Sequence, residues 1–121
     1  RTDDYGCTPQ FMAALTGHDA VVRALLGAQA DTDLVAKNGA TPLLIAAEKG
    51  HDAIVRVLLD AGADKDRTDD NGCTPLFMAA LNGHDAVVRA LLDAGADKTA
   101  LCRGKTAFDK AKTTEIKNLL R

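Results

Sequence analysis

The histidines and cysteines of this chain are the residues whose types could support metal or redox chemistry. His18, His51 and His84 recur at a constant spacing of 33 residues. A zinc ion needs its ligand nitrogens about 2.0–2.1 Å from a shared centre. Histidines at one place in successive stacked helical units lie about 8–10 Å apart, so a single ion cannot reach all three. We predict that they serve the turns between helices, and we expect no metal site and no cofactor.

The cysteines do not indicate a disulfide framework, because Cys7, Cys73 and Cys102 are odd in number. Cys7 and Cys73 lie two repeat units apart, beyond the reach of a disulfide. Cys73 and Cys102 fall in adjacent predicted loops and form the one pair that could bridge. We expect free thiols, with this bridge as the minor alternative.

Other patterns that could carry catalysis fail on their own requirements. The acidic segment 64–72 resembles a calcium loop, but it lacks the glycine at the sixth position and the glutamate at the twelfth. A solvated loop is the expected structure. The chain has no serine, no cysteine paired with a base and no glycine-rich phosphate loop. We therefore expect a protein that is not an enzyme.

Length and composition describe one soluble, core-forming domain. The chain has 121 residues, of which 46% are hydrophobic and 26% charged. Its net charge of −2, without a block of either sign, predicts neither nucleic-acid nor membrane binding. The longest apolar stretch, residues 76–81, is far shorter than the roughly 20 residues of a bilayer crossing. With no signal-peptide pattern, we expect a cytoplasmic protein in a reducing compartment.

The strongest pattern is an internal repeat. Thr-Pro and Gly-His dipeptides each recur with a period of 33 residues, at Thr8-Pro9, Thr41-Pro42 and Thr74-Pro75, and at Gly17-His18, Gly50-His51 and Gly83-His84. Residues 1–31 and 67–97 are identical at 26 of 31 positions, and the middle unit diverges more. Such near-identity indicates recent duplication or deliberate construction.

Within one unit, local signals predict two helices joined by a turn. Thr74 is a helix N-cap candidate with Pro75 at the first helical position, and Asn82-Gly83 ends that helix. A second helix starts at Asp85, and its apolar residues share one face: Val87, Val88, Leu91 and Leu92. Gly95 supplies the left-handed residue that closes it. The polar segments between units predict hairpin-like loops.

Three motifs per unit identify the chain as similar to the ankyrin repeat: Thr-Pro-Leu-Phe-Met-Ala-Ala, Gly-His-Asp-Ala-Val-Val and Leu-Leu-Asp-Ala-Gly-Ala-Asp. The resemblance covers essentially the whole chain. It implies an all-α solenoid of stacked helix–turn–helix units, with hairpin loops that line a concave face. We predict one domain over residues 1–121, with repeats at about 1–33, 34–66 and 67–99 and a capping repeat at 100–121.

The two ends of the array differ. The C-terminal unit loses one residue after Lys98 and also the Gly-His turn, as expected of a cap. Its inward face is predicted from Ile116, Leu119 and Leu120, and its wettable outer side from Lys105, Lys110, Lys112, Lys117 and Arg121. The N-terminal unit lacks such a device, so we expect fraying or self-association there.

The units depart from the family at two kinds of position. Where the family usually has histidine after Thr-Pro-Leu, this chain has Phe11, Leu44 and Phe77, which we predict to form a buried row. The preceding threonines would then act chiefly as N-caps. Gln29 replaces the glycine that closes the second helix, which predicts that the first repeat is the weakest.

Ankyrin repeats grip partners mainly with hairpin tips and the end of the first helix. Carried over position by position, that implied surface comprises Thr2, Asp4, Tyr5, Cys7, Leu15, Thr16, Val35, Lys37, Asn38, Ala40, Glu48, Lys49, Thr68, Asp70, Asn71, Cys73, Leu81, Asn82, Arg103 and Lys105. Tyr5, Leu15, Val35 and Leu81 are anchor candidates. For Leu15 and Leu81, simple packing against the next hairpin is the alternative.

Two functions of different class are consistent with this resemblance. The first is a non-enzymatic protein-interaction module whose partner, another protein, binds on the concave face. The second is a structural or engineered repeat scaffold with no dedicated partner, which the near-duplicate units favour.

Overall fold

A computed structural model describes residues 41–121, which fold into three pairs of antiparallel helices. The first pair is α1 (Pro42–Lys49) and α2 (Asp52–Asp60), the second is α3 (Pro75–Asn82) and α4 (Asp85–Asp93), and the third is α5 (Ala107–Lys110) and α6 (Thr114–Leu120). First helices pack on first helices, since α3 lies between α1 and α5. Second helices likewise stack in the order α2, α4, α6. The predicted all-α stack of helix–turn–helix units is confirmed.

Threonine caps start the first helix of each unit. The Oγ1 atoms of Thr41 and Thr74 accept hydrogen bonds of 3.2 and 3.1 Å from the backbone N–H groups of Leu44 and Phe77. A proline follows each threonine, where its missing N–H costs no helical hydrogen bond. The capping role predicted for these threonines is therefore confirmed.

The core is one continuous apolar cluster that runs through all three helix pairs. Its largest fully buried side chains are Leu43, Ile54, Leu58, Leu76, Leu91 and Ile116, with Val55, Val87 and Val88. Leu44 and Phe77 are buried as predicted, at 3% and 6% exposure. Phe77 lies in a separate small cluster, because it packs with Cys73 and Cys102 instead of the central core.

The C-terminal pair has the two-sided character of a cap. Ile116 and Leu120 are buried and Leu119 packs partly buried against the core, as predicted. The five basic residues expected on its outer side are all at least partly exposed: Lys105, Lys110, Lys112, Lys117 and Arg121.

The cap also keeps a polar N-terminus where the repeats have apolar residues. Asp109 occupies the place of Leu44 and Phe77 and forms a capping box with Thr106. Hydrogen bonds from the Asp109 N–H to Thr106 Oγ1 and from the Thr106 N–H to Asp109 Oδ2 measure 3.2 and 3.0 Å. Two backbone donors are thus satisfied at the start of a helix of only four residues.

Two loops between the pairs are joined covalently: the inner hairpin, residues 69–73, and the cap hairpin, residues 102–105. The link is a disulfide between Cys73 and Cys102, whose Cα atoms are 4.7 Å apart. The expectation of free thiols is therefore wrong for this pair. The one-residue deletion in the cap brings Cys102 opposite Cys73, within the Cα separation that a disulfide spans.

Several expectations concern residues 1–40 and lie outside the described residues. They are the turn role of His18, the free thiol of Cys7, the buried position of Phe11, the weak closure at Gln29 and self-association through the first repeat.

His84 ties the second unit to the third. Its Nε2 lies 2.9 Å from the carbonyl oxygen of Glu48. Because a carbonyl oxygen only accepts, Nε2 is the donor. This bond supports the predicted role of His84 at the turn between helices. Gly50 lies beside the same ring, so that a Cβ atom built on it would be 2.6 Å from His84 Nδ1.

We expect Gly50→Ala to destabilise the chain more than Gly62→Ala. Both glycines have positive φ, +80° and +90°, which alone costs alanine about 1 kcal/mol. Nothing lies within 4 Å of a Cβ atom at Gly62. At Gly50 the imidazole must move and its hydrogen bond is lost, which adds about 1 kcal/mol.

Urea unfolding of the two single variants and of both in a His84→Ala background measures this difference. The two glycine substitutions should cost the same once His84 is alanine. Equal costs in the wild-type background would show that the His84 ring is not held against Gly50.

Candidate functional site

A groove of about 630 Å³ opens between the two hairpins and the first helices. Three successive units and both hairpins contribute its walls: Glu48 from α1; Asp69, Asn71 and Cys73 from the inner hairpin; Phe77, Met78 and Leu81 from α3; Cys102, Arg103 and Lys105 from the cap hairpin; and Lys110 from α5. The groove therefore depends on the stacking of units and does not belong to any single one.

The inner hairpin is shaped by Asp69. Its Oδ1 accepts hydrogen bonds from the backbone N–H groups of Asn71 and Cys73, at 2.9 and 3.1 Å. The Asp69 N–H in turn donates to the Cys73 carbonyl oxygen, at 3.1 Å. A short acidic side chain thereby closes the loop on itself, which leaves Asn71 exposed at the groove.

The cap hairpin is a tight two-residue turn. Cys102 and Lys105 exchange backbone hydrogen bonds of 2.8 and 3.1 Å, and Arg103 and Gly104 between them have φ of +54° and +80°. Positive φ at both central positions is what a type I′ turn requires. Arg103 is the only non-glycine residue with positive φ within residues 41–121. This conformation costs a residue with a Cβ atom roughly 1 kcal/mol, and it holds Arg103 exposed at the tip.

The floor of the groove is apolar and partly exposed. The Cys73–Cys102 disulfide packs with Phe77, and Met78 lies half-buried against this cluster. Leu81, one turn beyond Met78 on the same helix face, is 40% exposed. Of the two interpretations of Leu81, the structure thus favours an exposed apolar side chain over one packed under a neighbouring hairpin.

The charges of the groove are segregated. Arg103, Lys105 and Lys110 lie on the cap side, whereas Glu48 and Asp69 lie on the side of the preceding units. The cations also act on the neighbouring cap residue Asp109. Its pKa is lowered first by the hydrogen bonds from Thr106 and further by the positive charges of Lys105 and Lys110.

The groove brings together six residues of the surface predicted from the sequence: Glu48, Asn71, Cys73, Leu81, Arg103 and Lys105. Cys73 contributes little accessible surface, because it is 7% exposed and bonded to Cys102. Lys49, Thr68 and Asp70 have accessible surface outside the lining. Asn82 is half-buried, and its side-chain amide donates to the Met78 carbonyl oxygen at 2.9 Å.

Ten predicted surface residues lie outside the described residues: Thr2, Asp4, Tyr5, Cys7, Leu15, Thr16, Val35, Lys37, Asn38 and Ala40.

Sequence reasoning missed five lining residues: Asp69, Phe77, Met78, Cys102 and Lys110. A signal existed for two of them. Counting from the capping threonines, Lys110 occupies in the cap the place that Met78 occupies in the third unit. Met78 itself is three residues before Leu81, a spacing that puts both on one helix face. Leu101, 61% exposed beside the cap hairpin, was also missed and does not line the groove.

The described part of the chain contains no group of three or more histidine, cysteine or acidic residues that could hold a metal ion. No helix within it has the length and apolar character needed to cross a bilayer. What the groove offers is therefore a binding surface: an apolar floor, exposed backbone and side-chain polar groups at two hairpins, and charges of both signs.

Comparison with known proteins agrees with this architecture. A family model described as ankyrin repeats, in three copies, matches residues 11–102. A search of curated proteins finds no match.

Proposed function

Because this chain belongs to the ankyrin repeat family, we propose that it is a non-enzymatic protein-interaction module whose partner binds on the concave, hairpin-bearing face that contains the groove. Ankyrin repeats are generally modules for protein–protein interaction. The proposal adds to that general role a definite surface, made of hairpin tips and first helices.

The observation that carries the proposal is the exposure of apolar surface where polar hairpin residues converge. Leu81 is 40% exposed at the end of a first helix, beside half-buried Met78. Protein interfaces are typically built in this way, with an apolar centre surrounded by a polar rim. Here the rim is supplied by Asn71 and Arg103 of the two hairpins and by Glu48 of α1.

A second candidate is a scaffold made to stack, with no dedicated partner. It is favoured by the identity of residues 1–31 and 67–97 at 26 of 31 positions. A surface that reads a partner usually presents different side chains in each repeat, whereas an array that only stacks has no such need.

Affinity capture with paired variants tests the proposal. Leu81→Ala removes an apolar side chain from the groove, and Leu101→Ala removes a more exposed leucine outside it. Arg103→Ala and Arg56→Ala form a second pair, since Arg56 is exposed on α2. The substitutions within a pair change the same chemistry, so they differ only in place.

We expect proteins captured by the wild-type chain to be lost with Leu81→Ala and Arg103→Ala and retained with Leu101→Ala and Arg56→Ala. Truncation of a central anchor residue commonly costs about 2 kcal/mol or more of binding energy, roughly thirtyfold in affinity. Retention by the groove variants would contradict the proposed surface. Capture of nothing by the wild-type chain would favour the scaffold.

A further inference from the structure

The groove is electrically polarised along the stack. Its cap side carries Arg103, Lys105 and Lys110, all exposed. Its other side carries Glu48, exposed at the end of α1, and Asp69, whose Oδ1 already accepts two backbone hydrogen bonds. A bound segment thus meets a positive wall at the cap and a negative one toward the second unit.

The apolar floor lies between these walls. Phe77 is buried beneath it, while Met78 and Leu81 present accessible surface at successive turns of α3. Flexible, unbranched methionine beside an exposed leucine accommodates apolar side chains of several shapes. The floor therefore has room for an anchor side chain but selects weakly among anchors, so the flanking charges must supply the selectivity.

The cap hairpin holds its cations in place. Arg103 stands at the tip in a left-handed conformation that few residues other than glycine adopt, and Lys105 follows within the same hydrogen-bonded turn. The disulfide at Cys102 fixes this turn to the inner hairpin. A charge at a tethered position loses less conformational freedom on binding than one on a mobile loop.

From these observations we infer that the groove binds a short segment of a partner protein that carries an apolar side chain with carboxylates on its cap-facing side. The apolar side chain lies on Met78 and Leu81, and the carboxylates face Arg103, Lys105 and Lys110. This inference rests on the proposed function and specifies the partner's chemistry.

Binding of defined peptides to the full chain tests it. Three fluorescent peptides of equal length carry the same phenylalanine, flanked on one side by aspartates, by lysines or by glutamines. A fourth keeps the aspartates but replaces phenylalanine with glycine. Fluorescence anisotropy gives the dissociation constant of each.

We expect the aspartate–phenylalanine peptide to bind about tenfold more tightly than its lysine counterpart, because each exposed charge pair changes affinity by a few-fold. The difference should shrink as salt is raised, since added ions screen exposed charges. The glutamine peptide should fall between the two, and the glycine peptide should lose most of its affinity.

Charge reversal locates the effect. Lys105→Glu with Lys110→Glu should invert the preference between the aspartate and lysine peptides. Lys98→Glu with Lys117→Glu makes the same change in net charge at exposed residues outside the groove, and it should leave the preference unchanged. Circular dichroism checks that both double variants remain folded, and Lys105→Gln with Lys110→Gln gives a milder version in which the preference is abolished.

Equal binding of the acidic and basic peptides, no binding of any peptide, or an equal effect of the two double variants would overturn the inference. None of these results touches the paired capture variants, so the proposed function stands or fails separately.

Discussion

Replacing Leu76 by alanine is expected to lower the free energy of unfolding by about 3 kcal/mol, within the roughly 2–5 kcal/mol range of buried leucine truncations. Leu76 is 0% exposed and belongs to the central cluster. It lies on α3, which packs against both α1 and α5. The cavity would therefore weaken the contacts that join one unit to the next, on which the stability of a repeat array depends. Urea denaturation followed by circular dichroism measures the loss.

Leu81→Ala is the matched control on the same helix. Leu81 is 40% exposed, so the same truncation leaves no closed cavity and should cost less than about 1 kcal/mol. The two leucines are thus expected to separate stability from binding, with Leu76 holding the stack and Leu81 serving the groove. Similar losses at both sites would contradict the burial that distinguishes them.

Loss of the Cys73–Cys102 disulfide has the second large expected effect. The bonded cysteines are separated by 29 residues in sequence. Closing a loop of this length in the unfolded chain is worth roughly 3–4 kcal/mol on the chain-entropy account. Cys102→Ala should therefore lower the unfolding free energy by about that amount, and reduction of the wild-type chain should do nearly the same.

A reductant series separates the disulfide from the packing of the cysteines. In a Cys7→Ser background, reduction should raise the number of titratable thiols from none to two and shift the urea midpoint downward. The Cys102→Ala variant should not respond to the reductant. A wild-type chain whose thiol count and midpoint are both unchanged by reduction would show that the bond does not form.

Much of the fold could be predicted because its signals are local. A threonine followed by proline specifies a helix start through one hydroxyl and one missing N–H, and Thr41 and Thr74 act in this way. The 33-residue period then placed every other feature of a unit relative to these caps. The apolar residues at the third position of the first helices were also recognisable as buried.

The rest depends on distances between units, which a linear pattern does not contain. The partnership of Cys102 with Cys73 arises from a shortened loop, and its consequence is seen only when the two hairpins are placed side by side. The left-handed conformation of Arg103 has no signature in its own residue type. The exposure of Leu81 was undecided from sequence, because it depends on how far the neighbouring hairpin extends over α3.

Site-specific photo-crosslinking tests most directly the central claim that a partner binds at the groove. A photoreactive amino acid placed at Leu81 samples the groove, and the same amino acid placed at Arg56, exposed on α2, samples a second-helix surface. We expect a defined protein adduct, identified by mass spectrometry, from position 81 and not from position 56. Equal adducts from both positions, or an adduct from position 56 alone, would contradict the account.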